Sequence, residues 1–150
     1  MNDAPTPLRD SAFMQAFLDL VIPPSGDGKL PGAGSLDLAS DMALRIEADP
    51  ALGPFVQAGL QAVRDAALAR DPAGLSALSP QARVEVVEAQ LTAHPMLMLG
   101  MGLHLYPAYY QHPRVLAGLD EPPRPPFPEG YALEATDPQL MQSLLNRRRT

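Results

Sequence analysis

His94, Met96, Met98, Met101 and His104 crowd into one short stretch of the chain. Thioethers and imidazoles are the ligands that soft Cu(I) takes. Helical spacing puts Met98 and Met101 on one face, with His94 seven residues before Met101. The same residues also suit a packed interior, because methionine fills irregular gaps and Gly100 and Gly102 let a neighbouring helix come close. The packed interior is the better reading of this stretch.

Tyr106, Tyr109, Tyr110, Gln111, His112 and Arg114 make the densest polar and aromatic cluster. Tyrosine can serve as a general acid and histidine as a base. No carboxylate lies nearby in sequence to orient His112, and no serine sits in a nucleophile-elbow setting. Large amphipathic rings and a planar guanidinium are what protein interfaces favour. The cluster therefore reads as packing of the chain's tail onto its helices, or as a surface for a partner, ahead of catalysis. Segment 25–34 holds four glycines and resembles a phosphate or cation loop at first sight. Lys29 is followed by Leu30 rather than by Ser or Thr, no strand leads into the segment, and the ligand spacing of an EF-hand is missing. It reads as a tight connector.

The bulk composition narrows the function further. A chain of 150 residues is one domain, long enough to bury a substantial core. A net charge of −6 excludes a basic face for phosphates, so no nucleic-acid partner is expected; Arg147, Arg148 and Arg149 are too few and too terminal to change this. The absence of cysteine excludes disulfides, thiolate metal sites and cysteine nucleophiles. Residues 89–113 carry no Asp, Glu, Lys or Arg, which is long enough to span a bilayer. The stretch is interrupted by Gln90, His94, Pro95, His104, Pro107, Gln111 and His112, and its wholly apolar part, 96–103, is short. A buried core helix is expected rather than a membrane span. The opening residues contain an acid and no basic run leading into an apolar one, so no secretory signal is expected. The expected compartment is the cytoplasm, and the periplasm only through export with a partner or a signal lying outside these residues.

The elements that must position these residues are helical. Phe13, Phe17, Leu20 and Val21 fall at i, i+4, i+7 and i+8, which predicts a helix over 10–21, stopped by Pro23 and Pro24. Ser35 is expected to cap a second helix with Leu38 or Ala39, Met42 and Ile46 facing inward, ending at Asp49 and Pro50. Val56, Leu60, Val63 and Ala67 predict a third over 54–70. Ser79 and Pro80 open a fourth, with Val84, Val87 and Leu91 as its stripe. A fifth covers 95–110 with a kink or break at Pro107, and a short turn follows over 113–116. Residues 122–128 are read as extended or polyproline-like, and Asp137 and Pro138 begin a final helix over 140–147 with a basic end. No segment alternates with period two. The fold class is all-α: a compact single-domain bundle of five to six helices over 1–150, with a flexible N-terminus over 1–9 and a proline-rich strap over 120–136.

The run Phe17-Leu18-Asp19-Leu20-Val21-Ile22-Pro23-Pro24, continuing into Asp27-Gly28 and Pro31-Gly32-Ala33-Gly34, resembles the opening of the gluconate 2-dehydrogenase subunit 3 family. Tyr109-Tyr110-Gln111-His112-Pro113-Arg114-Val115, followed by Pro125-Pro126-Phe127-Pro128-Glu129-Gly130-Tyr131, is similar to the tyrosine-rich turn and proline–glycine tail of its members. The resemblance covers about 13–145, and its motifs are structural rather than catalytic. It implies a small helical accessory subunit that binds a large FAD-containing dehydrogenase subunit and assists its maturation and export. Such complexes pass electrons to a cytochrome c subunit at the cytoplasmic membrane, and neither FAD nor haem belongs to the small subunit. Many members begin with a twin-arginine export signal, and this chain begins directly at a short polar segment.

The function expected from the sequence is thus a non-catalytic subunit with no cofactor of its own. Its candidate partner-binding residues are Tyr106, Tyr109, Tyr110, His112, Arg114, Phe127 and Tyr131, with Tyr110 and Phe127 anchoring the strap. The alternatives are a small-molecule-binding protein or minor enzyme with a pocket lined by Met98, Met101, His104, Tyr106 and Tyr110, and a self-associating helical protein.

Overall fold

The computed structural model describes residues 6–123, 137–139, 142 and 146. Within them the chain is all-α: six α-helices linked by turns and three short 3-10 segments, with no strand. Helix α1 spans Ser11–Val21, α2 Ala39–Glu47, α3 Gly53–Arg70, α4 Pro80–Leu91, α5 Met96–Tyr110 and α6 Pro113–Gly118. Among the described residues no helix is long and apolar enough to cross a membrane. Phe127 and Tyr131, and most of the strap and of the last helix expected from the sequence, lie outside the described residues.

Capping and proline set most boundaries. The Asp10 carboxylate accepts from the Phe13 amide and starts α1. Ile22 leaves the helical region where Pro23 follows. The Ser79 hydroxyl accepts from the Ala82 amide, with Pro80 in the first turn of α4. The single core joins α1, α2, α3 and α5, through Phe13, Phe17, Leu18, Met42, Ile46, Val56, Leu60, Val63, Leu97, Met101 and Leu105.

Several expectations need correction. Ser35 does not cap α2: it ends a 3-10 turn, Ala33–Ser35, and its hydroxyl donates to the Gly32 carbonyl at 2.8 Å. The flexible N-terminus expected over 1–9 lies, up to residue 5, outside the described residues, and beyond it Pro7–Arg9 form a 3-10 turn that buries Leu8 and brings Arg9 onto Glu47. In α4 the buried residues are Val86 and Val87, whereas Val84 is exposed and Leu91 only half-buried. Val84 and Leu91, seven residues apart, form one wall of a groove shared with Phe17, Leu20 and Val21 of α1. Nor does Pro107 break α5, which runs on to Tyr110. Pro107 sits in the last turn, and the carbonyl it leaves without an i+4 donor belongs to Leu103, on the exposed side of the helix.

Segment 25–34 is the connector that the sequence suggests, and it is fastened at both ends. The Ser25 amide donates to the Leu30 carbonyl, and the Asp27 carboxylate accepts from the Ser25 hydroxyl and the Lys29 amide. These bonds hold the Asp27 carboxyl below the usual carboxylate range, the Ser25 hydroxyl most of all. Gly28 takes φ +74°, a left-handed value suited to glycine. Further on, the Gly34 amide donates to the Asp19 carboxylate at 2.8 Å and the Ala33 amide to the Ile22 carbonyl.

Candidate functional site

Helix α5 has two apolar faces, and only one is in the core. Leu97, Met101, Leu105 and Tyr109 repeat every four residues and are all buried. This face is turned to the core, where Leu97 meets α3, the helix that α5 contacts most extensively. The approach is close: a Cβ on Gly59 of α3 would stand 2.9 Å from the Leu97 Cβ, and one on Gly100 would overlap the Val56 side chain. Gly100 therefore has the role that the sequence suggests, while Gly102 faces only the Tyr106 ring.

The opposite face carries Met96, Leu99, Leu103, Tyr106 and Tyr110, all exposed. Leu99 is 52%, Leu103 57%, Tyr106 48% and Tyr110 50% accessible. The spacing is three, four, three, four, the heptad seam by which one helix packs against another. A helix apolar all round is normally buried all round. The Tyr106 and Tyr110 rings stack at 6.5 Å with 21° between their planes, which orders the C-terminal end of the seam. Beside its N-terminal end, Phe55 of α3 is 57% exposed and lines one depression with Met96 and His94.

This arrangement sorts the sequence-predicted residues. Tyr106 and Tyr110 are on the open face. Tyr109 is turned inward instead: it is 1% exposed, and its hydroxyl donates to the Pro31 carbonyl at 2.7 Å, tying α5 to the glycine-rich connector. Burial pushes its phenol above the ordinary value, and Tyr110 beside it adds to the rise. His112 caps α6, its Nδ1 accepting from the Arg114 amide at 3.2 Å. The Arg114 side chain is exposed.

The pocket expected from Met98, Met101, His104, Tyr106 and Tyr110 does not assemble. Met98 and Tyr106 share a shallow depression of about 380 Å³ on the open face. Met101 is wholly buried, and the His104 Nε2 lies 2.9 Å from Asp49 Oδ2. For the same reason the residues weighed for copper are divided: His94 and Met96 face Phe55, Met98 faces the α1–α4 groove, and Met101 is in the core.

Asp49 is the polar residue that sequence reasoning missed as a partner for His104, 55 residues away. Its Oδ1 accepts from the amides of Leu52 and Ala51, so one carboxylate both fastens the turn that leads into α3 and holds His104 of α5. The Leu52 amide above all, then the Ala51 amide and His104, keep the Asp49 carboxyl below its ordinary value. A depressed folded-state value means stability that is present above the unfolded carboxylate range and lost as pH falls through the folded value. Asp49→Asn is accordingly expected to lower the melting temperature near neutral pH. The gap from the wild type should narrow as the pH falls through the folded-state value of the Asp49 carboxyl, below the ordinary carboxylate range. A gap that stays constant across that range would show that the carboxylate charge is irrelevant.

No family model, no curated protein and no solved structure matches this chain.

Proposed function

We propose that this chain is a non-catalytic accessory subunit that docks through the open face of α5 on a large FAD-containing dehydrogenase subunit. The observation that carries the docking is the exposure of Leu99, Leu103, Tyr106 and Tyr110 on a helix without a single charged residue. Isolated surface leucines are ordinary, whereas a contiguous apolar patch with aromatic anchors marks an interaction site. The flavoprotein as partner rests on the resemblance in the segments around Asp19 and around Tyr110. Flavin and haem would belong to the partner subunits.

The test is capture of the tagged chain from its native host, followed by absorbance and identification of what accompanies it. A flavoprotein is expected in the wild-type eluate. Leu103→Asp, a change at a surface position, should lower its recovery by at least about tenfold without altering the melting temperature appreciably. A colourless eluate without a flavoprotein would remove the reading.

A further inference from the structure

We infer that, in the free protein, the open face of α5 pairs with the same face of a second copy in an antiparallel, two-fold arrangement centred on Leu103. This goes beyond the accessory-subunit reading and does not depend on which protein the face later meets.

The seam is self-complementary in a way that selects this arrangement. Met96 and Tyr110 are each seven residues from Leu103, and Leu99 and Tyr106 are four before and three after it. Turning a second α5 end for end about Leu103 sets Leu103 on the copy's Leu103. Leu99 then meets the copy's Tyr106, and Met96 meets the copy's Tyr110. Each ring is matched with a smaller aliphatic or thioether side chain, so the helices keep an even separation, and a thioether against an aromatic ring is favourable. The phenol hydroxyls reach the rim, where water can satisfy them. A parallel pairing would instead stack ring on ring at one end and leave the other end narrow, so the helices would splay. The antiparallel pair also opposes the two helix dipoles. An isologous two-fold contact of this kind closes on itself and leaves no face for further growth.

The seam itself sets no like charges against each other, because residues 89–113 carry no Asp, Glu, Lys or Arg, although the net charge of −6 on each copy makes the pairing weaker at low salt. The area is also adequate. Half-exposed side chains of this size each offer about 100 Å², so Phe55, Met96, Leu99, Leu103, Tyr106 and Tyr110 offer about 600 Å² per copy. Complete coverage of these side chains by the pair would bury at most about 1,200 Å², the lower edge of a specific interface. That predicts a reversible dimer that concentration drives.

The chain has no cysteine, which makes the register directly testable. Full-length Leu103→Cys, purified alone and mildly oxidised, should form a disulfide-linked dimer in high yield. Met96→Cys alone should not, while Met96→Cys mixed with Tyr110→Cys should cross-link to each other. Sedimentation of the wild type should show the dimer fraction rising between about 10 and 300 µM. Leu103→Asp should stay monomeric over that range, with the melting temperature that the wild type shows when dilute. A wild type that is monomeric throughout overturns the pairing, including the case in which residues 124–150 of the same chain cover the face. Equal self-cross-linking of Met96→Cys and Leu103→Cys overturns the antiparallel register. A monomer that still captures a flavoprotein would end this inference alone, and a dimer that captures none would end only the accessory-subunit reading.

Discussion

Tyr109→Ala is expected to destabilise the protein by about 3–5 kcal/mol, a large part of the ~5–15 kcal/mol by which a small domain is stable. The ring is 1% exposed in the joint between α5 and the connector, and its hydroxyl donates to Pro31, 78 residues away in sequence. Truncation removes the packing of an aromatic ring and leaves the joint unfilled. Tyr109→Phe keeps the ring and deletes one hydrogen bond, so about 1 kcal/mol should be lost. Tyr106→Ala and Tyr110→Ala remove half-exposed rings whose inner neighbours stay in place, and each should cost less than about 1 kcal/mol. Urea unfolding at constant slope measures all four. Because the phenol value is raised in the folded state, the contribution of the hydroxyl is complete below the unfolded value near 10 and is lost as pH rises through the folded one. If Tyr110→Ala proves as damaging as Tyr109→Ala, the division of α5 into a buried and an open face is wrong.

That division is what the sequence conceals. Proline punctuation makes the helices legible: Pro23 ends α1, Pro80 begins α4, and the Val56, Leu60, Val63, Ala67 stripe of α3 is buried as its periodicity predicts. In α5 periodicity has no phase to report, because both the four-spaced set ending at Tyr109 and the heptad set ending at Tyr110 are apolar. What decides between them is tertiary: Gly59 of α3 against Leu97, and Gly100 of α5 against Val56, let the two helices meet closely on that side. Three neighbouring tyrosines therefore look alike in sequence, yet Tyr109 is buried while Tyr106 and Tyr110 share the open face. The Asp49–His104 pair and the Tyr109–Pro31 bond join distant segments, and nothing local announces them. Ser35 misleads because a serine before an apolar helix has the look of a cap, while its hydroxyl turns back to Gly32. Tyr106 and Tyr110 of the aromatic cluster sit on the helix whose outer face is open.

The second large effect concerns two glycines that separate backbones. Gly34→Ala should cost about 3 kcal/mol, at the upper end for overpacking, because a Cβ there would overlap the main-chain carbonyl of Gln15 and crowd the Asp19 carboxylate. That carbonyl belongs to α1 and cannot retreat without disturbing the helix, and the bond from the Gly34 amide to Asp19 would be strained with it. Gly100→Ala meets a side chain instead, the Val56 Cγ2. Valine is stiff at χ1, so α3 and α5 must part, and a loss of about 2 kcal/mol is expected. Gly26→Ala has nothing within 4 Å and should be close to neutral. The two costly changes differ in whether they can be rescued. Adding Val56→Ala to Gly100→Ala returns the volume, so the pair should be less destabilised than the sum of the singles by about 1 kcal/mol or more. Asp19→Ala added to Gly34→Ala should give no such relief, since the Gln15 carbonyl is still in the way. Equal rescue in both pairs would mean that side-chain crowding, and not backbone contact, sets the position of the connector.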